Sequence, residues 1–310
     1  MAELETARAK LPNDVQLLEL SGYIERRLGR WEESIHNFKR ALDLDPRNLS
    51  IRQQIAATYG DLRRYAEAKS TYDRALAIDP NYVQAKVGHA AVELAWKADT
   101  RPLHQVIDSI RATNPAAVPD IANTWFLCAL MERDVAAAKE ASIASGQNIL
   151  LNKEAVHFTR LFVEGIIARM TKDDDKAQSA FTTARAEQEK IVQAQPNYGP
   201  PLVVLGLIDA ALGRKEEALR EGRRATELLP VEKDSINGQV TIEYLAMIAA
   251  WVGDNDLACE KLSTAVRYPG PLTYGELKLL PFWDPLRSDP RFEQIVASLA
   301  PKGELTTNEH

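Results

Sequence analysis

Two short stretches of the sequence decide the fold. Residues 41–46 are ALDLDP and residues 75–80 are ALAIDP, so the second stretch repeats the first after 34 residues. Pro196 and Pro230 are separated by the same interval. A period of 34 residues that ends in a proline is typical of two-helix units stacked in an array.

The second unit shows how one repeat is built. Its two predicted helices carry small and large apolar residues at helical spacing: Ile55, Ala56, Tyr59, Tyr65, Ala68, Tyr72 and Ala75. The Asp79–Pro80 step ends the second helix, because proline disfavours helical geometry in the residue before it. One pair cannot bury both of its faces, so successive units must stack.

These residues resemble the tetratricopeptide repeat family, in which small and aromatic residues alternate at set positions. The second unit matches at Ala56, Tyr59, Ala68, Tyr72, Ala75 and Pro80. The first unit matches at Gly22, Gly29, Trp31, Phe38, Ala41 and Pro46, with Glu25 in place of an aromatic residue. The resemblance implies an all-α fold, a right-handed α-solenoid of antiparallel helix pairs.

The repeat pattern divides the chain into six predicted parts. They are a lead-in helix (1–14), two clear units (15–80), three degenerate helix pairs (83–195), two clear units (199–270), a C-terminal capping segment (271–302) and a disordered tail (303–310). Residues 146–152 and 231–238 are predicted loops. In the capping segment, Asp289 is expected to cap a last helix that opens with Pro290 and covers the end of the array.

A closer resemblance covers nearly the whole chain. Residues 213–218 (GRKEEA), 243–246 (EYLA), 283–287 (WDPLR) and 289–292 (DPRF) are similar to the C-terminal repeat array of large bacterial signalling proteins. In those proteins the array follows a serine/threonine kinase, a nucleotide cyclase or a winged-helix domain. No such domain is recognised here, so we expect Met1 to begin either a piece of a longer protein or a genuine short form.

Composition excludes several classes of function. The chain has 310 residues and a formal charge of −6, so it lacks the basic excess that a nucleic-acid surface needs. The longest apolar stretch, residues 203–212, is interrupted by Asp209 and is too short to insert into a membrane. No export signal begins the chain. We expect a cytoplasmic location, or an extracytoplasmic one if a longer parent protein is tethered to a membrane.

No motif indicates an enzyme. The sequence contains no P-loop, dinucleotide-binding turn, HExxH or GxSxG motif, and its five histidines share no ligand spacing. Cys128 and Cys259 are expected to be buried and unreactive. The acidic run at residues 173–175 is expected to cap a helix rather than to bind a metal. We therefore predict neither a catalytic site nor a metal or cofactor.

The first helices of the units are predicted to line a concave groove. Aligned inward positions are polar in the first units and become apolar later. The candidate groove residues are Tyr23, Leu127, Phe162, Ile166, Val203, Leu207, Met247 and Trp251. In one interpretation they bind an extended or helical segment of a partner, with Phe162 and Trp251 as anchors. In the other they are packed core, because the solenoid is tightly wound or its C-terminal segment folds inward.

One familiar ligand of the family is excluded. Binding of acidic chaperone tails requires a clamp of Lys, Asn and Arg side chains at five concave positions. These positions hold Glu19, Tyr23, Gln54, Gln84 and Gly88. The sequence thus predicts a non-catalytic scaffold in a bacterial signalling system that binds another protein or peptide. The alternative is a structural module through which a larger parent protein forms a homo-oligomer.

Overall fold

The computed structural model describes residues 6–7, 9–146, 148 and 150–301. Over these ranges the chain is built from helices, and the only β-type pairing is an isolated bridge between Lys153 and Val156. The all-α class predicted from the repeat period is therefore confirmed, and the arrangement is that of an α-solenoid.

Seven helix pairs follow one another through the described part of the chain. The first helices of the pairs are α1 (Val15–Arg27), α3 (Leu49–Asp61), α5 (Val83–Lys97), α7 (Val118–Met131), α9 (Arg160–Met170), α11 (Gly199–Ala211) and α13 (Ser235–Trp251). The second helices are α2 (Trp31–Leu44), α4 (Tyr65–Ile78), α6 (Arg101–Thr113), α8 (Val135–Ala144), α10 (Asp174–Ala194), α12 (Lys215–Leu228) and α14 (Asn255–Ala265). Each first helix packs against its own second helix.

Close approach of the two helices depends on glycine in the first and the fifth pair. A Cβ atom on Gly22 of α1 would lie 2.7 Å from the ring of Phe38 on α2. Gly165 of α9 has the same relation to the ring of Phe181 on α10. An added methyl group would overlap the ring in either place, so both rings fill space that only glycine leaves open.

The solenoid closes on itself, which the repeat pattern alone does not show. The backbone N–H of Gly270 donates to the carbonyl of Asp61 at 3.0 Å, and the Ser235 hydroxyl donates to the carbonyl of Arg26 at 2.8 Å. The Arg27 guanidinium pairs with Asp234 at 2.8 Å. These bonds join the first two helix pairs to the seventh and to the segment after it.

This closure places residues of the C-terminal part against the first helices of the first three pairs. Helix α13 packs against α1. A short helix near the C-terminus, α15 (Tyr274–Leu279), packs against α5 so closely that a Cβ atom on Gly275 would overlap the carbonyl of Leu94. The inward fold of the C-terminal part is the packing alternative that the sequence left open.

A buried ion cluster lies where the two ends meet. The Lys153 ammonium donates to Glu243 of α13 at 2.8 Å and to Glu276 of α15 at 3.1 Å. The side chain of Glu243 is only 2% exposed. Burial raises the pKa of Glu243 to about 7 although Lys153 opposes the shift, and the two carboxylates raise the pKa of Lys153. Lys153 thus holds two elements of the C-terminal half together.

The predicted C-terminal capping segment packs against the seventh helix pair. It consists of α15, the 3-10 helix Pro281–Leu286 and α16 (Pro290–Ser298). Asp289 caps α16 by accepting a hydrogen bond from the backbone N–H of Arg291, and Pro290 is the first helical residue. The indole of Trp283 is completely buried beside the buried ring of Phe292. Apolar burial of this size is what fixes the cap to the last pairs.

Some predicted boundaries differ from the structure. The predicted loop at 231–238 is helical from Ser235, because Asp234 accepts hydrogen bonds from the N–H groups of Ile236 and Asn237 and so starts α13 early. Beyond the predicted loop at 146–152, the described residues from 150 to Thr159 contain no helix. Helix is present at 6–7 and 9–10 in the predicted lead-in, and the predicted tail at 303–310 lies outside the described residues. The six-part division itself stays a prediction.

Candidate functional site

The structure separates the eight predicted groove residues into three groups. Four are fully packed in the core, with at most 1% exposure: Phe162, Val203, Leu207 and Met247. Tyr23 and Leu127 are partly buried elsewhere in the array. Ile166 and Trp251 both line one cavity. The packing interpretation accounts for the first group, and the cavity is the part of the predicted surface that a ligand can reach.

The chain covers the predicted anchor Phe162 with its own aromatic ring. Phe158, from the segment before α9, stacks on Phe162 with ring centroids 4.3 Å apart. Phe158 also contacts Tyr244 of α13 at 5.7 Å between centroids. The position that a partner's aromatic residue would take over Phe162 is thus already filled.

The cavity lies where the helices of the later pairs meet the cap. It has a volume of about 440 Å³. The floor is apolar, and the lining residues come from α8, α9, α11, α13 and the cap: Val135, Ile166, Met170, Ala210, Trp251, Pro281, Phe282 and Pro285. Three charged residues complete it: Arg133, Arg169 and Asp284. An apolar cavity of about 300–1,000 Å³ with a few convergent polar groups is the usual form of a ligand site.

Trp251 forms one wall of the cavity and is held rigidly. Its indole N–H donates to the carbonyl of Phe282 at 2.8 Å. The two rings are 5.2 Å apart and nearly perpendicular, at 89°. Trp251 therefore both lines the cavity and fastens the cap to α13. A rigid aromatic wall of this kind loses little conformational entropy when a ligand binds.

Two arginines give the cavity a positive charge. The Arg169 guanidinium lies 4.8 Å from the ring of Phe181 and 5.0 Å from that of Trp251, and it donates to the carbonyl of Ala211 at 2.6 Å. Burial against these rings lowers the pKa of Arg169, but an arginine stays protonated at neutral pH.

The second arginine lies at the turn between α7 and α8. Arg133 pairs with Asp284 of the cap at 2.8 Å, and its backbone has a positive φ of 59°. This left-handed conformation costs a non-glycine residue about 1–2 kcal/mol. Arg287 also approaches Asp284, at 3.4 Å. With two arginines and one aspartate in its lining, the cavity favours an anionic group next to an apolar one.

Sequence reasoning found only part of this site. Ile166 and Trp251 were placed by the repeat register, but Arg133, Arg169 and Phe282 were missed. Arg133 and Arg169 lie in degenerate units, where the register gives no inward position. Phe282 belongs to the proline-bounded segment 281–287, which the sequence marks only as a cap. Its aromatic content was the one signal that pointed to a second role.

The cysteine and the acidic run that the sequence offered as candidate reactive groups have structural roles. Burial raises the pKa of the Cys128 thiol to about 12, so it is protonated at neutral pH. Asp173 accepts a hydrogen bond from the backbone N–H of Lys176 and caps α10. Over residues 6–7, 9–146, 148 and 150–301, His, Cys, Asp and Glu side chains form no group of three that could hold a metal ion.

Comparison with known proteins identifies the class of repeat. Residues 26–90 match the family model described as tetratricopeptide repeat. They cover the end of α1, the next three helices and the start of α5. The likeness to tetratricopeptide repeats is thus shown for this part of the chain, and such repeats generally mediate protein–protein interaction in the proteins that carry them.

Individual relatives match more weakly. The RNA polymerase II-associated protein 3 of Xenopus tropicalis is 33% identical over 69 residues, which are 22% of this chain and 10% of the relative. This chain thus spans about a tenth of that relative's length. A tetratricopeptide repeat protein from Parabacteroides merdae covers 91% of this chain and 97% of its own, with 11% identity and a TM-score of 0.48. PilW, a type IV pilus biogenesis factor, covers 81% and 91%, with 14% identity and a TM-score of 0.33.

Among the described residues, none of the helices combines the length and the apolar character that crossing a membrane requires.

Proposed function

We propose that this protein is a non-catalytic scaffold that binds a peptide or protein segment of a partner in the cavity between α9, α13 and the cap. The observation that carries the proposal is the 440 Å³ cavity with its wall of Trp251 and Phe282. Tetratricopeptide repeats generally mediate protein–protein interaction, which supports the proposal. The proposed site differs from the open concave groove expected from the sequence, and the packing of α13 and α15 against α1 and α5 supports this difference.

The lining defines the chemistry of the proposed segment. Apolar side chains form the floor, so the segment inserts a large apolar side chain beside Met170 and Trp251. Arg133 and Arg169 outnumber Asp284, so a carboxylate next to that side chain in the segment is attracted to the cavity. The proposed ligand is thus a short segment in which an apolar anchor residue adjoins an Asp or Glu.

A peptide-display selection against the purified chain tests this proposal. We expect enriched peptides to share an apolar residue next to an acidic one and to lose at least roughly tenfold in affinity for Met170→Glu. Met170 lines the cavity, and among the described residues no hydrogen bond of its side chain would be lost. Trp251→Glu is a poorer test, because it would also break the bond to Phe282.

The matched control is Ile143→Glu, which places the same charge at an apolar residue that is 75% exposed on α8 and outside the cavity lining. This variant should bind the selected peptides as wild type does. Equal binding by wild type and Met170→Glu, with both proteins folded by circular dichroism, would refute the cavity as the site. Enrichment of basic instead of acidic residues would refute the proposed charge preference.

The cellular setting is a further part of the proposal. The likeness of residues 213–218 and 283–287 to arrays of bacterial signalling proteins supports a role in such a system, in the cytoplasm. An antibody against the chain, used on lysate of the source cells, tests this setting. A band much heavier than 34.5 kDa that contains a kinase, cyclase or winged-helix domain would support it. A heavier band without any of these domains would contradict it.

A further inference from the structure

The arginines at and beside the cavity differ in their partners. One carboxylate oxygen of Asp284, Oδ1, accepts hydrogen bonds from Arg133 at 2.8 Å and from Arg287 at 3.4 Å. Arg287 also donates to the backbone carbonyls of Leu277 and Leu280 in the cap. Each of these two arginines thus already contacts a carboxylate of the chain itself.

Arg169 has no carboxylate partner in the part of the chain that the structure describes. Its one hydrogen bond there runs from Nη2 to the backbone carbonyl of Ala211, at 2.6 Å. Asp174 acts on Arg169 electrostatically without forming an ion pair with it. A guanidinium carries five N–H donors, so Arg169 keeps donors for a ligand in the cavity that it lines.

The surroundings of Arg169 hold its guanidinium in place. It lies 4.8 Å from the ring of Phe181 and 5.0 Å from that of Trp251, within the range of cation–π attraction. Together with the bond to Ala211, these contacts limit the conformational freedom that the side chain would lose on pairing. Apolar rings also lower the local dielectric constant, which strengthens an ion pair formed beside them.

The position of Arg169 in the helix matches the proposed spacing of the ligand. Arg169 and Met170 are consecutive residues of α9, and both line the cavity. Consecutive residues of a bound segment have Cα atoms about 3.8 Å apart. An apolar anchor side chain that contacts Met170 therefore brings the next residue of the segment near Arg169.

We propose that Arg169 is the residue that makes the cavity select an acidic segment, by pairing its guanidinium with the carboxylate next to the apolar anchor. This inference rests on the proposed function, because it assigns the charge preference of that site to one side chain. A carboxylate offers a guanidinium two planar acceptor oxygens and a charge. The amide of glutamine has a similar shape, one acceptor oxygen and no charge.

Calorimetric titration with two end-capped peptides tests this pairing. The first peptide is Gly-Ser-Leu-Glu-Ser-Gly, and the second has Gln in place of Glu. We expect wild type to bind the Glu peptide about tenfold more tightly than the Gln peptide. Arg169→Gln should bind both peptides with the affinity that wild type has for the Gln peptide.

Two further variants control for charge and for folding. Lys139→Gln removes one positive charge from an exposed position on α8 outside the cavity lining, so it should keep the tenfold preference. Arg169→Lys keeps the charge without the planar fork of donors and should keep part of the preference. Circular dichroism confirms that each variant is folded.

The proposal is overturned if folded Arg169→Gln keeps the full preference for the Glu peptide. Loss of the preference in Arg133→Gln but not in Arg169→Gln would also overturn it, because the paired arginine would then bind the carboxylate.

Met170→Glu distinguishes failure of this inference from failure of the proposed function. If Met170→Glu weakens binding of the Gln peptide while Arg169→Gln keeps the preference, the cavity remains the site and only the role of Arg169 is refuted. If Met170→Glu binds the Gln peptide as wild type does, the cavity is not the site. Absence of binding of both peptides to wild type would overturn both proposals.

Discussion

Replacing Lys153 by Met should destabilise the protein by an amount that depends on pH. Lys153 is the only cation shown to pair with Glu243 among the described residues, and it also pairs with Glu276. The Glu243 side chain is 2% exposed, so removal of Lys153 leaves a buried carboxylate without its partner. Breaking a buried ion pair in this way costs about 3–5 kcal/mol when the remaining group stays charged.

The pH dependence follows from the direction of the pKa shift. Burial raises the pKa of folded Glu243 to about 7, above its ordinary value of 4.5. A raised carboxyl pKa contributes stability at low pH, and this contribution is lost as the pH rises through the folded pKa. Without Lys153 the pKa rises further. At pH 5.5 the carboxyl group of the variant is protonated, and its cost falls to about 1–3 kcal/mol for an imperfectly bonded polar group.

Urea unfolding followed by circular dichroism measures this difference. We expect Lys153→Met to lose more free energy of unfolding, relative to wild type, at pH 8.5 than at pH 5.5. Burial also raises the pKa of Asp61 to about 7, and the positive charge of Lys153 opposes this shift. Loss of Lys153 therefore raises the pKa of Asp61 further, as it does for Glu243. Lys139→Met, at an exposed position, is the control. An equal loss at both pH values, or none, would refute the reasoning.

Two further predictions concern packing. Gly22→Ala should destabilise the protein by about 1–3 kcal/mol, because the new Cβ atom would lie 2.7 Å from the ring of Phe38. In the matched variant Gly60→Ala, no heavy atom lies within 4 Å of the new Cβ, so helix α3 should gain about 0.5–1 kcal/mol. The two predictions are contradicted if Gly22→Ala and Gly60→Ala shift the urea midpoint in the same direction. Trp283→Ala should cost about 3–5 kcal/mol and speed proteolysis after residue 270, since the indole is wholly buried in the cap. A melting temperature equal to that of wild type would show that the cap is not part of the folded core.

Local patterns were sufficient to predict the helix pairs. Pro46 and Pro80 mark the unit ends at one period, and Ala41 and Ala75 occupy equivalent packing positions, so the sequence itself carries the repeat. The capping helix was also predictable, because Asp289 followed by proline is a local start signal for a helix.

Closure of the solenoid could not be predicted in this way. Arg27 meets Asp234 across 207 positions, and no periodic pattern connects two residues at that separation. The same holds for Lys153, which meets Glu276 across 123 positions. Degenerate middle units also hide the cavity, because its arginines lie outside the recognisable register. Thus residues close in the sequence determine how each repeat packs, whereas the candidate site depends on contacts between distant units.

The proposed site depends on the claim that the C-terminal part of the chain folds against its first helix pairs and leaves the cavity at the cap open to a partner. Electron-electron distance measurements between spin labels at Arg30→Cys and Glu232→Cys test this claim most directly, because both positions are exposed and Arg27 meets Asp234 beside them. A closed solenoid gives one short, narrow distance distribution in solution. A long or broad distribution would show an open superhelix and would contradict it.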